Sequence, residues 1–365
     1  MGRPGKSSQL ATPRLESPAV IQPADEPFVR PYPPSWFDRV MAWVDRVPGS
    51  YVIWYSVFAV MIFALVTVSR LAAGVPAFGG DLGNRAFFSF MTVFPLFLLQ
   101  YLNHTAGAAF SAFTPALQSP EEAPLLRYRL TTAPAVPSIL FSLGAAGVSV
   151  VQIAASPELE SYSEAIYGPG LAAYFFGALS WFISSHFAYR VIHQLVRVSR
   201  TYESHARVSL GDQGPTFALS RLTSRAAIAS ILVVSGYMVA YAQLGSLTLT
   251  LIVLIPNLFL AGSAFVLPLA GAHRLLDAER YRWRRETTQR MEVAREKLHQ
   301  LVERGEYAAV PAVKDAITAL DIELTRLARI PTWPWNPGTP RGVVAAVFLP
   351  VMLWLIQYGL GRLLG

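Results

Sequence analysis

The chain has 365 residues, of which 53% are hydrophobic and only 15% are charged. Soluble domains carry about 25% charged residues, so this composition argues against a soluble globular enzyme, and its hydrophobicity excludes a disordered chain. There is no cysteine, which excludes disulfides, cysteine-ligated metal centres and thiol nucleophiles. The formal net charge is +7, and its meaning depends on where the charges lie.

Residues 1–34 are rich in proline, which removes amide donors and fixes φ, so a disordered cytoplasmic arm is predicted there. Residues 35–48 predict a short amphipathic helix with Ser35 as its N-cap. Two placements are open: in the membrane interface, with Trp36 and Trp43 as anchors, or against the cytoplasmic ends of a helical bundle. The polar face of this helix carries Asp38, Arg39, Asp45 and Arg46.

Seven stretches are long and apolar enough to cross a bilayer, which takes about 20 mostly apolar residues. They cover residues 51–70, 86–104, 137–155, 169–188, 226–243, 247–269 and 343–363. The fifth and sixth are joined by so few residues that a re-entrant pair is the alternative. We therefore predict an all-α, polytopic transmembrane helical bundle, with six spans in residues 49–272 and a seventh in residues 331–365. In the third span, small residues predict close helix approach: Ser142, Gly144, Ala146 and Gly147.

Basic residues are unevenly distributed between the two sides of this bundle. If the N-terminus is cytoplasmic, 27 of the 30 lysines and arginines lie inside, and only Arg70, Arg85 and Arg362 lie outside. Cytoplasmic loops carry the excess of Lys and Arg, so the pattern predicts an inner (plasma) membrane protein with its N-terminus in and its C-terminus out. The positive charge then reflects topology, with anionic inner-leaflet lipids rather than nucleic acid as the partner.

Residues 273–330 form the one sizeable cytoplasmic segment and predict an antiparallel helical hairpin. Apolar residues recur at coiled-coil spacing on both sides of a polar turn around Gly305. We call these two rows of apolar residues the seams of the hairpin. Two seams within one hairpin bury little area by themselves, so we expect a further partner: a second copy, another protein or the N-terminal arm. The seam residues are Met291, Leu298, Leu301, Val313, Ile317, Leu320, Leu324 and Leu327.

The membrane end of the hairpin is rich in arginine. These side chains are candidates for contact with anionic lipid, although a solvated, inside-positive collar explains them equally well. The candidates are Arg280, Arg282, Arg284 and Arg285. Where the chain returns to the membrane, Trp333 and Trp335 alternate with prolines and are predicted to anchor it at the headgroup level.

Three polar side chains share one face at the cytoplasmic end of the fourth span: His186, Arg190 and His193, at i, i+4 and i+7. Either they have a structural role near the headgroups, or they form an anion or proton gate. His104 and His273 lie at the same predicted depth on the second and sixth spans, so histidines from three spans could converge. A zinc site would need that convergence and an open ligand position, and neither a metal nor a cofactor is expected.

Standard enzyme signatures are missing from the sequence, including HExxH, GxSxG and the P-loop. The leading hypothesis is a non-enzymatic integral membrane protein, an oligomeric signalling or scaffolding subunit that assembles through its hairpin. The alternative is an oligomeric channel or transporter for a small solute, such as an anion, with His104, His186 and Arg190 at its inner mouth. A lipid-handling membrane enzyme is the third hypothesis.

Overall fold

The structure is a computed structural model that describes residues 29–76, 82–207, 214–241 and 247–333, with isolated helical positions between 341 and 359. For residues 216, 239–241, 247–265 and 267 it describes the backbone alone. The predicted arm therefore lies almost entirely outside the described residues, as does Trp335.

Within those ranges the backbone forms ten α-helices and no strand. The helices are α1 (Trp36–Val44), α2 (Tyr51–Ala72), α3 (Leu82–Phe113), α4 (Ala123–Thr131), α5 (Ala135–Ala155), α6 (Pro157–Tyr167), α7 (Leu171–His205), α8 (Gly214–Tyr241), α9 (Leu247–Glu303) and α10 (Val310–Arg329). The predicted all-α class is therefore confirmed for the described part of the chain.

Five of these helices are long and apolar enough to cross a membrane: α2, α3, α5, α7 and α8. They include the first five predicted spans. The side chains of the sixth predicted span, at the start of α9, lie mostly outside the described residues, and so does most of the seventh. At 35 residues, the apolar segment ending at His205 would be about 52 Å long, so α7 continues well beyond a hydrocarbon core of about 30 Å.

The five apolar helices differ in how much of their surface is covered by protein. In α3 and α8, 61% of the most apolar stretch is buried, against 11% in α2 and 22% in α5. The uncovered sides of α2 and α5 are apolar, with Val60, Leu140 and Val151 among the exposed side chains. Large exposed apolar surfaces are uncommon on soluble monomers, so α2 and α5 have the character of lipid-facing helices at the rim of the bundle.

Three apolar clusters hold the helices together. At one end, Phe37 and Met41 of α1 pack with α2, α3, α7 and α8, and we call this the α1 end. A second cluster joins the C-terminal parts of α3 and α7 to α4, α8 and Leu269 of α9. At the opposite end, the α6 end, Val66 and Phe88 pack with α6 and α7. Of the two placements open for the amphipathic helix, packing on the bundle is the one observed.

The pairing between α5 and α7 does not use the predicted glycines. A Cβ added to Gly144 or Gly147 would meet nothing within 4 Å, so both face open space. The buried side of α5 instead carries Ser138, Ser142 and Ser149. On α7, a Cβ at Gly177 would lie 2.8 Å from the Ile153 side chain, so it is this glycine that permits the close approach.

α9 is one continuous helix of 57 residues, and α10 folds back along its C-terminal part after a turn at Gly305, which has a φ of +74°. Met291 and Leu301 of α9 and Leu327 of α10 are buried, and the other seam residues are half-buried. Since the contacts of α10 among the described helices are with α9, the two seams cover each other. The exposed sides of the hairpin are mostly charged.

Candidate functional site

The start of α1 is set by a reciprocal capping interaction between Ser35 and Asp38. The Ser35 hydroxyl accepts a hydrogen bond from the Asp38 N–H at 3.2 Å, and Asp38 Oδ2 accepts from the Ser35 N–H at 2.9 Å. Such a capping box satisfies two N–H groups that the first turn of a helix leaves unpaired. It also holds the Asp38 carboxylate at the N-terminal end of α1, on the side that faces the bundle.

Asp38 meets Arg190 of α7 in a buried ion pair. Arg190 Nη1 donates to Asp38 Oδ1, and its Nη2 donates to the Thr131 carbonyl and, at 3.3 Å, to Asn103 Oδ1. Asp38 Oδ2 also accepts from the Ala133 N–H at 3.2 Å. We call these five residues the clasp, because one guanidinium joins α1, α3, the end of α4 and α7.

Further hydrogen bonds tie the chain before α1 to the α4–α5 connection. The Tyr32 hydroxyl donates to the Thr132 carbonyl at 2.9 Å, and the Tyr128 hydroxyl donates to the Tyr32 carbonyl at 2.7 Å. The Ser35 N–H donates to the Ala133 carbonyl at 3.1 Å. Burial raises the pKa of both tyrosines, so both hydroxyls keep the proton that they donate.

The clasp is electrostatically complete. Arg190 is 3% exposed, both of its Nη atoms have oxygen partners, and both oxygens of Asp38 are used. Removing one member of a buried ion pair typically costs about 3–5 kcal/mol, because the other charge is left uncompensated. The geometry suits a positioning role, in which the charges hold α1 and the α4–α5 connection against α7.

The predicted gate residues of α7 all contact the segment 32–38. His186 is fully buried, with its ring 5.0 Å from the Trp36 ring and 5.8 Å from the Phe37 ring, centroid to centroid. His193 lies edge-on to Tyr32, 6.5 Å between ring centroids, and Arg190 is in the clasp. The shared face of α7 is therefore occupied by the N-terminal segment of the same chain.

The other two predicted histidines lie elsewhere. His104 is half-exposed beside Asp45, with 3.1 Å between Nε2 and Oδ1, and His273 stacks on Trp333 at 4.2 Å between ring centroids. None of the ring contacts or hydrogen bonds joins His104, His186 and His273 to one another within the described residues. In that part of the chain no group of three His, Asp or Glu side chains is placed to hold a metal ion.

The remaining predicted residues are spread over the surface of the hairpin and of α1. Arg282, Arg284 and Arg285 are exposed, whereas Arg280 is half-buried and donates to the Ile330 carbonyl at 3.4 Å. Trp43 is exposed and packs against Trp54 and Phe58. Trp36, also predicted as an interface anchor, is half-buried, with its ring against His186.

Sequence reasoning missed the role of Asp38, which it placed on the solvent side of the amphipathic helix. A signal was present: Ser35 and Asp38 have the spacing of a capping box, which fixes where the carboxylate points. The positions of Asn103 and of the Thr131 carbonyl carry no such signal, because they meet Arg190 only through helix packing.

Comparison of the chain with protein-family models, curated proteins and solved structures finds no match.

Proposed function

We propose that the protein is a non-enzymatic component of the plasma membrane, with its N-terminus in the cytoplasm, that assembles with copies of itself through the α9–α10 hairpin as a signalling or scaffolding subunit. The observation that carries this proposal is the continuity of α9. One helix runs from the apolar cluster that contains Leu269 to the hairpin seam at Leu301.

The base of the hairpin is held firmly by the bundle. A Cβ at Gly271 would lie 3.1 Å from Cγ of Glu203, so α9 and α7 approach closely there. Val198 and Tyr202 of α7 are buried in the cluster that holds Leu269, and the same helix carries Arg190 of the clasp. Because helices are stiff, the clasp and the hairpin base keep a fixed relation, which is what a subunit that presents an assembly surface requires.

The outward sides of the hairpin supply a surface for a second copy. Val293 and Ile322 are each 66% exposed, and their helical positions point away from the seam. Acidic and basic residues alternate around them, such as Glu292 and Arg295 beside Val293. Helices that pair with one another commonly combine apolar contacts with flanking charges of both signs, and those charges set partner choice.

The absence of cysteine makes assembly directly testable in the full-length protein. Single cysteines at Val293 and Ile322 should form intermolecular crosslinks in membranes. Leu320→Cys is the matched control, because Leu320 is half-buried in the seam of its own hairpin and should crosslink poorly. Light scattering of the detergent-solubilised wild type should give a multiple of the monomer mass. A monomer mass together with no crosslink at either outward position would refute the proposal.

A further inference from the structure

A second buried arginine, Arg85, lies at the α6 end of the bundle, and the sequence analysis places it just before the second span. The second span was expected to start at residue 86, but α3 begins at Leu82 and takes Arg85 into its first turn. Arg85 is 1% exposed. Its three guanidinium nitrogens are buried, and none of them has a hydrogen-bond or ion-pair partner among the described residues.

A second buried polar side chain, Ser89, lies one turn further along α3. Residues four apart lie on one face of a helix, so Arg85 and Ser89 are neighbours. Ser89 is also 1% exposed, and its hydroxyl has no partner in the described part of the chain. Thr92 and Ser111 of the same helix donate to the carbonyl four residues before them, which is the usual arrangement. The Ser89 hydroxyl does not, and is left as a free donor beside Arg85.

Of the three carboxylates of α6, two accept hydrogen bonds from other groups, and none forms an ion pair with Arg85. Glu164 Oε1 accepts from the Gly170 N–H at 2.9 Å, and Glu160 Oε1 accepts from the Tyr174 hydroxyl at 2.7 Å. Phe88, between Arg85 and Ser89 in the sequence, packs in the apolar cluster with Val66. The guanidinium thus lies beside apolar side chains, and none of the described residues neutralises it.

The guanidinium of arginine keeps its positive charge in proteins, so the cost of burial is not relieved by neutralisation. An uncompensated buried charge is costly, so a counter-charge from outside the chain is the physical expectation. The guanidinium fork matches the oxygen spacing of phosphate and carboxylate groups, and a serine hydroxyl adds a further donor. Arg85 lies three residues from the start of α3, about 5 Å along the axis, so an anion need not cross the hydrocarbon to reach it.

We propose that Arg85 and Ser89 form a binding site for one phosphate-type oxyanion at the α6 end of the bundle, which in the proposed orientation faces outside. The phosphate is either a free ion or part of a lipid headgroup, since both present the same oxygens. This site is separate from the hairpin and does not depend on the hairpin's role in assembly.

The test uses the purified full-length protein in a maltoside detergent, which contributes no phosphate. The apparent Tm is measured after adding inorganic phosphate, short-chain phosphatidylglycerol, or sodium chloride at equal ionic strength. Wild type should be stabilised above the chloride value by at least one of the phosphate probes. Inorganic phosphate as the effective probe identifies a free ion, and phosphatidylglycerol alone identifies a headgroup.

Three variants test whether the stabilisation by phosphate arises at Arg85 and Ser89. Arg85→Met should abolish the response, and without anion it should be at least as stable as wild type, because an uncompensated charge has been removed. Ser89→Ala should weaken apparent phosphate affinity roughly tenfold, as expected for a lost hydrogen bond to a charged group. Arg290→Met, which removes an exposed hairpin arginine of equal charge, should respond like wild type.

Three results would overturn the proposal. The first is a wild type that neither probe stabilises, and the second is an Arg85→Met variant that still responds. The third is a large loss of stability in Arg85→Met without anion, since the charge must then be compensated within the chain. Asp81 is the acid nearest to Arg85 in the sequence and lies outside the described residues, so Asp81→Asn is measured in parallel. If it destabilises the protein as Arg85→Met does, and the double variant loses nothing more, the partner is internal.

Discussion

Arg190 and Arg85 are both buried in long apolar helices, at opposite ends of the bundle, yet their surroundings differ in one respect. Arg190 is met by a carboxylate, an amide oxygen and a backbone carbonyl, all from the same chain. Arg85 is met by none of these among the described residues. Burial of a charge therefore does not by itself identify a binding site; the presence or absence of internal compensation distinguishes a structural arginine from one available to a ligand.

The sharpest test of this contrast is Arg190→Met. We expect it to lower the free energy of unfolding by about 3–5 kcal/mol, because Asp38 is left buried without its partner. The apparent Tm in detergent measures the loss. Arg85→Met, the same substitution at the other end, should cause no loss in anion-free buffer.

A double-mutant cycle separates the ion pair from the packing of the Arg190 stem. Asp38→Asn combined with Arg190→Met should be markedly less destabilising than the sum of the single changes, since contacting residues typically couple by about 0.5–3 kcal/mol. Strict additivity would contradict the compensation described for the clasp.

Arg70 at the α6 end is a third buried arginine, and its described partners include backbone carbonyls. It donates to the Glu164 carbonyl at 3.3 Å and to the Ala165 carbonyl. Gly168 has a φ of +102°, and a Cβ there would lie 3.1 Å from Cγ of Arg70. Gly168→Ala should therefore cost about 1–3 kcal/mol through backbone strain and displacement of this arginine.

The matched control for that substitution is Gly305→Ala in the hairpin turn. Gly305 also has a positive φ, but a Cβ there meets nothing within 4 Å. Thermal unfolding should show a smaller loss for this variant. Equal losses would mean that contact with Arg70 contributes nothing.

A smaller effect is expected for the exposed pair at the α1 end. His104 and Asp45 have side chains that are 46% and 45% exposed, and Asp45 also accepts from Gln100 Nε2 at 2.7 Å. Exposed ion pairs contribute about 0.2–1 kcal/mol, so His104→Ala should shift the apparent Tm only slightly. If His104→Ala lowers the apparent Tm as much as Arg190→Met does, His104 contributes far more to stability than an exposed ion pair can, and the expectation is wrong.

The smallest expected effect concerns the two tyrosines next to the clasp. Burial raises the pKa of Tyr32 and Tyr128 above the ordinary value of about 10, with Arg190, Arg197 and Asp38 the charges that act on Tyr32. Their contribution to stability is therefore present below pH 10 and is lost as the pH rises through the folded-state pKa. Tyr32→Phe/Tyr128→Phe should be less stable than wild type at pH 8.

That difference should shrink above pH 10, when the donated protons are lost from wild type. The comparison is made between variant and wild type at each pH, because the other tyrosines titrate equally in both. A gap in apparent Tm that stays constant from pH 8 to pH 11 would contradict a role for these hydroxyl protons.

Much of the architecture follows from local sequence. Stretches of about 20 apolar residues predict helices wherever the backbone must satisfy its own hydrogen bonds, and α2, α3, α5, α7 and α8 form where they were predicted. Ser35 caps α1 as expected, and the 3- and 4-residue spacing of apolar residues marks both seams of the hairpin. The periodic pattern is a property of each helix alone, so no partner needs to be known.

Which helix faces meet was decided only by the tertiary structure. The sequence indicates that His186, Arg190 and His193 share a face, but it does not indicate that segment 32–38 covers that face. It likewise places small residues on α5 without showing that Ser142 faces α7 while Gly144 faces open space. Contacts between helices distant in the chain depend on relative rotation and depth, which local periodicity does not encode. For the same reason, a count of charges assigns Arg190 and Arg85 to opposite sides of a membrane. Only packing shows that Arg190 is compensated, whereas Arg85 has no partner among the described residues.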